Sequence, residues 1–474
     1  MGRLRRERMS APFRSYEPDQ AFLFPPSPRD WLPTNHLAYF VMDVVASLDL
    51  KEILAYYDTK AVRDDEGSVG DEVAKSGRGQ PAYDPRMMTA LLLYAYVTGR
   101  PSSRQIEQCC REDVAFRVIS ANQQPDHSTI AEFRKVHLRA VAKLFLQVLR
   151  LCRQAGLVKL GHVALDGTKV KANASKHKAM SYGRMLKTEA ELQEEVEKLL
   201  RRAEEADAQE IPKIEELSGE LARRESRLRK IQEAKAALEA EAKAEAGRIR
   251  REHEEEQKRR RDSGEPPKPG RTPNPPESPE DKAQRNFTDP ESRIMKNSDK
   301  AFIQGYNAQA VVDAGHQVIV ACDVTNQAAD APHLEPMVDE VRGNLDAYPH
   351  EVSADAGYFS EDNVEALEAR SIDAYVAAER LKHGETPAAP RGRIPKNLTL
   401  KERMLRKLRT RAGRALYALR KITVEPVFGQ IRTRGLMRFW LRGVENVKRE
   451  WALWCTGHNL LKLFRGRAAA LNSS

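Results

Sequence analysis

The sequence predicts an α/β protein: a helical N-terminal region, then a strand-bearing core split by a long helical insertion. Three observations lead there. Apolar residues between Leu37 and Leu138 recur at helical spacing. Short apolar runs at 161–166, 306–312, 317–323 and 352–355 then alternate with helical stretches, as in a layered α/β fold. Between the first two runs, residues 187–261 are almost wholly Glu, Lys, Arg, Ala and Leu, the composition of long paired helices.

A chain of 474 residues exceeds one ordinary core, so two or three domains are expected. Its net charge of +10 and pI near 9.2 favour a polyanionic partner without naming one. The five cysteines contain no C-x-x-C pair, which argues against a zinc site or a disulfide framework and for reduced thiols in the cytoplasm. The basic N-terminus has no apolar stretch after it, and no run approaches the ~18 apolar residues of a membrane span.

Residues 1–31 are rich in Arg and Pro and read as a disordered basic arm that orders on binding. Leu37, Phe40, Val41, Val44, Val45 and Leu48 mark the first helix, and the polar, Gly-rich stretch 64–80 a loop. Asp84 and Pro85 have the cap and first-turn chemistry of a helix that ends at Gly99. Further helices open at Pro101-Ser-Ser103 and Pro125-Asp-His-Ser128, the second turning Ile130, Phe133, Val136 and Leu138 inward. This pair resembles a helix-turn-helix whose second helix enters the major groove, with Arg134, Lys135 and Arg139 on its outer side. A small bundle with solvated charges is the other reading. Residues 32–155 form the expected helical DNA-binding domain.

The first strand is read as Gly161–Asp166. Tyr306–Val312 and Gln317–Asp323 form a hairpin around Asp313-Ala-Gly-His316. Helix 331–347, strand Val352–Asp355, helix 360–370 and a short strand Ala374–Ala377 follow. The 187–262 insertion carries Ile214, Leu217, Leu221, Leu228, Ile231, Leu238, Ala242 and Ile249 at spacings that fit a coiled coil or helical hairpin, divided at Pro212. Seven prolines in 263–282 make the segment 263–285 a linker. The core is therefore expected from residues 156–186 and 286–474.

Three acids have settings suited to metal-assisted phosphoryl transfer. Asp166 and Asp355 close apolar runs, and Glu425 precedes Pro426, which biases it toward a helix start. Such a set can hold two divalent ions about 3.5–4 Å apart, which clamp the attacking and leaving oxygens of a displacement at phosphorus. Asp323 is a rival on a neighbouring element, whereas Asp313 reads as a turn residue. Lys169 and Lys171 alternate after Asp166 and suit a phosphate backbone passing the metals, with Tyr358 beside Asp355 as a further contact. Tyr417, Arg420 and Arg432 surround Glu425, either as phosphate ligands or as a surface ion-pair network. Arg403, Lys407, Arg411 and Arg414 recur at helical spacing and are expected on one face, carrying the phosphate backbone toward Glu425.

The segments Leu165-Asp-Gly-Thr-Lys-Val-Lys-Ala-Asn-Ala-Ser175, Thr288-Asp-Pro-Glu-Ser-Arg-Ile-Met-Lys296, Gly305-Tyr-Asn-Ala-Gln309, Ala354-Asp-Ala-Gly-Tyr358 and Glu425-Pro-Val-Phe-Gly429 resemble, in this order, the DDE transposases of bacterial insertion sequences. The likeness is to the insertion-sequence 4/5 type, in the group named after insertion sequence 1182, and runs from about Leu32 to Leu463. It implies a ribonuclease H-like catalytic core with Asp166, Asp355 and Glu425 as metal ligands and catalytic residues, and two Mg²⁺ or Mn²⁺ ions as cofactors. It also implies double-stranded DNA partners (inverted repeats and target), a homodimer or larger synaptic assembly, and a cytoplasmic, nucleoid-associated site of action. Members carry a Tyr, Arg, Glu, Lys signature; here Tyr417, Arg420 and Glu425 match it, and Arg432 replaces the lysine.

Overall fold

The computed structural model describes residues 27–57, 82–207, 214–264, 266–267, 272–297, 299–380, 388–392, 395 and 397–473. Most of the N-terminal arm, the 64–80 loop, Pro212 and part of the Pro-rich segment lie outside them.

The N-terminal part is helical: α1 (Leu37–Ser47), α2 (51–57), α3 (Pro85–Thr98), α4 (Ser103–Glu112), α5 (Val114–Ile119) and α6 (His127–Gln154). Asp84 caps α3 by accepting from the Arg86 and Met87 amides, Pro85 opens it, and Gly99 closes it at φ 78°. At that positive φ glycine carries no Cβ penalty. The sequence reading missed α5. It also foresaw a short recognition helix where α6 runs for 28 residues, about 42 Å at helical rise. Its buried stripe continues from Ile130 through Leu138, Val141, Leu144 and Val148 to Cys152, so packing sustains it. Val136 is 37 % exposed rather than inward.

The core sheet has β1 (His162–Lys171) at its centre, antiparallel to β5 (Phe302–Asp313) and parallel to β7 (Glu351–Ala354), which pairs in parallel with β8 (Asp373–Val376). On the far side of β5 run β4 (Arg293–Lys296) and β6 (Ile319–Thr325), both antiparallel to it. Asp166 lies in mid-strand rather than at a strand end. Beyond it β1 stays paired with β5 as far as Lys171↔Gly305, and Thr168 and Val170 are buried. Asp355 follows the last residue of β7, as expected of a strand-end acid.

Helices α9 (Leu334–Leu345) and α14 (Val444–Ser473) pack on the β5–β6 side, and α10 (Glu361–Ala369) and α11 (Leu400–Arg409) against β8. Helix α12 (Arg411–Thr423) crosses β1, β7 and β8, and α13 (Glu425–Thr433) continues from it. Helix α14 also packs on α3 and α6. Its Trp451, Trp454 and Leu460 are fully buried, the Trp451 indole donates to the Gln309 carbonyl (2.9 Å), and Asn459 bonds both backbone groups of Ile319. The N-terminal helices and the sheet therefore share one apolar core.

The insertion is a helical hairpin of α7 (Tyr182–Asp207) and α8 (Ile214–Asp262). The pairs Lys235–Glu189 (2.6 Å) and Tyr182–Glu239 (2.8 Å) show that the two helices are antiparallel. Met185 and Leu192 meet Ile231, Ala234 and Leu238 in a small core separate from the main one. At its base, β2 (Ala179–Ser181) pairs with β3 (Gln284–Asn286). The reading foresaw neither of these strands, nor β4. Each has at most four residues, too few to show a period. Among the described residues, no helix is long and apolar enough to cross a membrane.

Candidate active site

One arginine bridges Asp166 and Glu425, and Asp355 lies near enough to repel Asp166. Arg420, in the last turn of α12, donates from Nη1 to Asp166 Oδ2 (2.8 Å) and from Nη2 to Glu425 Oε1 (3.1 Å). Glu425 is the first residue of α13, where Pro426 needs no backbone donor. The break between α12 and α13 thus presents the arginine and the glutamate to β1 together. Asp355 anchors its own turn by accepting from the Gly357 amide (2.8 Å).

Other carboxylates crowd the buried Asp166. Asp166 is pushed up to about 6, chiefly because burial penalises its carboxylate. The Arg420 guanidinium opposes this, while Asp355 and Asp330 repel it further. Tyr417 lies one turn before Arg420, its ring 5.9 Å from the guanidinium carbon, and burial raises its hydroxyl. Tyr358 is fully buried and donates to Gln309 Oε1.

Asp323 belongs to a different place. On β6 it pairs with Lys448 (3.0 Å), and β5 separates it from β1. Asp313 is the expected turn residue, accepting from the Lys159, Leu160 and Gly315 amides.

The cationic candidates divide. Arg432 donates to Thr168 Oγ1, two residues beyond Asp166, and Lys171, Arg411 and Arg414 are exposed. Lys169 is held by Asp330 (2.8 Å) with 14 % of its side chain exposed, so it is not a free phosphate ligand. The single basic face expected for Arg403, Lys407, Arg411 and Arg414 does not exist. Thr410 ends α11 and caps α12 in an extended conformation, donating to the Lys407 carbonyl (2.7 Å) and accepting from the Gly413 amide (2.9 Å). Threonine's preference for caps wins over the helical period, and any side chain at Gly413 would collide with the Lys407 carbonyl. Lys407 itself bonds Asp373 and the Ala374 carbonyl, 4.0 Å above the Tyr375 ring. Arg403 faces Glu368 at 3.7 Å.

Arg134 is also corrected. It is buried, donating to the Pro101 carbonyl (2.7 Å) and Ser103 Oγ (2.9 Å), and so ties α6 to the start of α4. Lys135 and Arg139 are exposed on the same helix. The sequence reading passed over Asp330, which sits in an unpatterned loop, and gave Asn307 and Gln309 no role of their own. The structure places all three beside Asp166.

Among the described residues, no three acidic, histidine or cysteine side chains are drawn into a ready metal cage. The residues present nonetheless fit a hard cation. The donors are all carboxylate oxygens, they are partly desolvated, and a guanidinium already stands as the cation between two of them.

No curated protein and no solved structure matches this chain. Two family models do. Residues 28–136, which include α1 to α5, match a transposase domain (DUF772). Residues 271–460 match the transposase DDE domain, which takes in Asp355, Arg420 and Glu425 but begins after Asp166. The chain is thus similar over two separate stretches to transposase domains, the second of the DDE type.

Proposed function

We propose that this chain is the transposase of a bacterial insertion sequence of the 4/5 type, in the 1182 group. It binds the terminal inverted repeats of its element, cuts DNA there and joins the freed ends to target DNA. The two matched domains support this reading. The observation that carries it is the Arg420 bridge between Asp166 and Glu425, with Asp355 close enough to perturb Asp166. The mixed sheet, with an antiparallel half and a parallel half on β1, supports a ribonuclease H-like reading of the core.

Asp166, Asp355 and Glu425 would hold two Mg²⁺ or Mn²⁺ ions, which when bound polarise the scissile phosphate and activate the attacking water or 3′-hydroxyl. The protein's own groups do the rest. Burial of Asp166 and its carboxylate neighbours concentrates negative charge at one point. Arg420 neutralises two of the acids. Tyr417, Arg432, Lys171, Arg411 and Arg414 supply further donors around the acids, and Lys135 a separate contact on α6. The α7–α8 hairpin is read as a coiled-coil arm. Double-stranded DNA is the partner, a dimer or larger assembly brings two ends together, and the work is done in the cytoplasm at the nucleoid.

The test is cleavage of duplexes carrying the element ends, followed by joining of pre-cut ends to a target duplex. Both should need a divalent ion and be lost in D166N, D355N and E425Q. Cleavage without joining would leave a metal-dependent nuclease. Cleavage retained in any of the three variants would overturn the assignment.

A further inference from the structure

We infer that Asp330 is a positioning residue that sets the separation of Asp166 and Asp355. This rests on the reading of those two acids as ion ligands. Asp330 sits between β6 and α9 at the start of a short 3-10 turn, a usual place for a capping aspartate, yet its side chain makes no capping bond. It reaches across the sheet instead. Its Oδ1 accepts from Lys169 Nζ (2.8 Å), Asn307 Nδ2 (2.7 Å) and Gln309 Nε2 (3.1 Å). Lys169 stands three residues beyond Asp166 on β1, and Asn307 and Gln309 lie opposite Lys169 and Gly167 on β5.

Neither the β1 strand beside Asp166 nor the turn after Asp355 leaves room for a side chain next to this carboxylate. A Cβ on Gly167, next to Asp166, would collide first with Gln309 Nε2 and would lie 2.8 Å from Asn307 Oδ1 and 3.0 Å from Asp330 Oδ1. A Cβ on Gly357, two residues after Asp355, would lie 3.2 Å from Asp330 Oδ2 and 3.0 Å from Asp355 Oδ1. The backbone on each side therefore closes on Asp330 together with its Gln309 donor or the Asp355 carboxylate. Tyr358 closes the circuit, because its hydroxyl donates to the same Gln309 that donates to Asp330. Through Lys169 and Gln309, Asp330 thus links the strand of Asp166 to the turn of Asp355. Lys169 balances its charge, and both side chains are mostly shielded, at 14 % and 21 % exposure.

The experiment is Mn²⁺ titration by calorimetry and electron paramagnetic resonance on the full chain, with folding checked by circular dichroism. Partners behind metal ligands typically change affinity by about 10–100-fold. D330N and K169M should each weaken Mn²⁺ binding by about that factor without changing the number of ions bound. The double variant should be no weaker than the worse single one by more than about threefold, since both remove one linkage. Wild-type affinity in D330N overturns the inference. So does loss of one bound ion in D330N with K169M unaffected, which would make Asp330 a ligand. Should D330N fail to fold, K169M tests the same linkage from its other end, and wild-type affinity there overturns it. D166N and D355N serve as references: wild-type binding in both defeats the ion-site reading itself, whereas weakened binding in them beside normal D330N and K169M defeats only the role of Asp330.

Discussion

Asp166 should hold its proton up to about pH 6, and this governs how the protein responds to acid. The cause is burial first, then repulsion from Asp355 and Asp330, which Arg420 only partly offsets. A folded-state value above the ordinary aspartate value means that the folded protein binds this proton more tightly than the unfolded chain. The corresponding stability is complete below about pH 4 and lost as pH rises through 6. The difference from an ordinary aspartate amounts to about 3 kcal/mol in the ion-free protein. On the proposed ligand role of Asp166, a divalent ion has to displace the same proton, so Mn²⁺ affinity should fall about tenfold for each pH unit below 6 and level off above 7. At pH 5 roughly one Asp166 in ten is ionised, whereas an ordinary aspartate is more than about nine-tenths ionised there. The assay is calorimetric Mn²⁺ titration between pH 5 and 8, with D166N in parallel. Glu340 and Glu450, each pushed by burial to about 7, titrate in both proteins and cancel in the comparison. An affinity that stays flat between pH 5 and 7 in the wild type refutes the reasoning.

The other predictions follow from particular contacts. R420Q should raise the Asp166 titration above 6, since it removes the main influence holding it down, and should depress end cleavage; an unchanged Mn²⁺ pH profile would count against the bridge. R411Q combined with R414Q should reduce the salt slope of DNA binding by roughly two units, while K407Q should leave it unchanged, because Lys407 is spent on β8. Equal effects from the two would restore a single basic face. R134M should lower stability by about 1–3 kcal/mol and K135Q should not, while only K135Q should reduce the salt slope, by roughly one; the reverse pattern in urea unfolding and DNA titration would contradict the burial of Arg134.

The sequence disclosed those parts of the fold whose period is long or whose chemistry is local. The α3 ends were legible because Asp84, Pro85 and Gly99 act locally, Asp84 through its carboxylate on the next amides and the other two through their own backbone. The β5–β6 hairpin was legible because β5 is almost wholly buried, β6 is buried over most of its length, and turn residues lie between them. The length of β1 was not, since Gly167, Lys169 and Lys171 dilute the apolar run and only pairing with β5 keeps the strand going. The basic helix around Arg411 was misread because Thr410 and Gly413 act as a corner only when the Lys407 carbonyl is in place. Arg134 was misread because nothing local shows that Pro101 would offer it a buried carbonyl. At the site, Asp166 and Asp355 were singled out by the apolar runs before them and Glu425 by Pro426; the strand-end setting holds for Asp355 but not for Asp166, which lies within β1. Asp330 was invisible, because its meaning lies in contacts to residues 21 or more positions away.

The most direct test of the central claim is manganese anomalous diffraction from crystals of the full chain soaked in MnCl₂ near pH 7.5. The account predicts anomalous peaks in contact with Asp166, Asp355 and Glu425, with the Arg420 guanidinium moved from between Asp166 and Glu425. Manganese bound at Asp323 and Glu340 instead, or no peak at Asp166 with Arg420 still bridging the two acids, would contradict it.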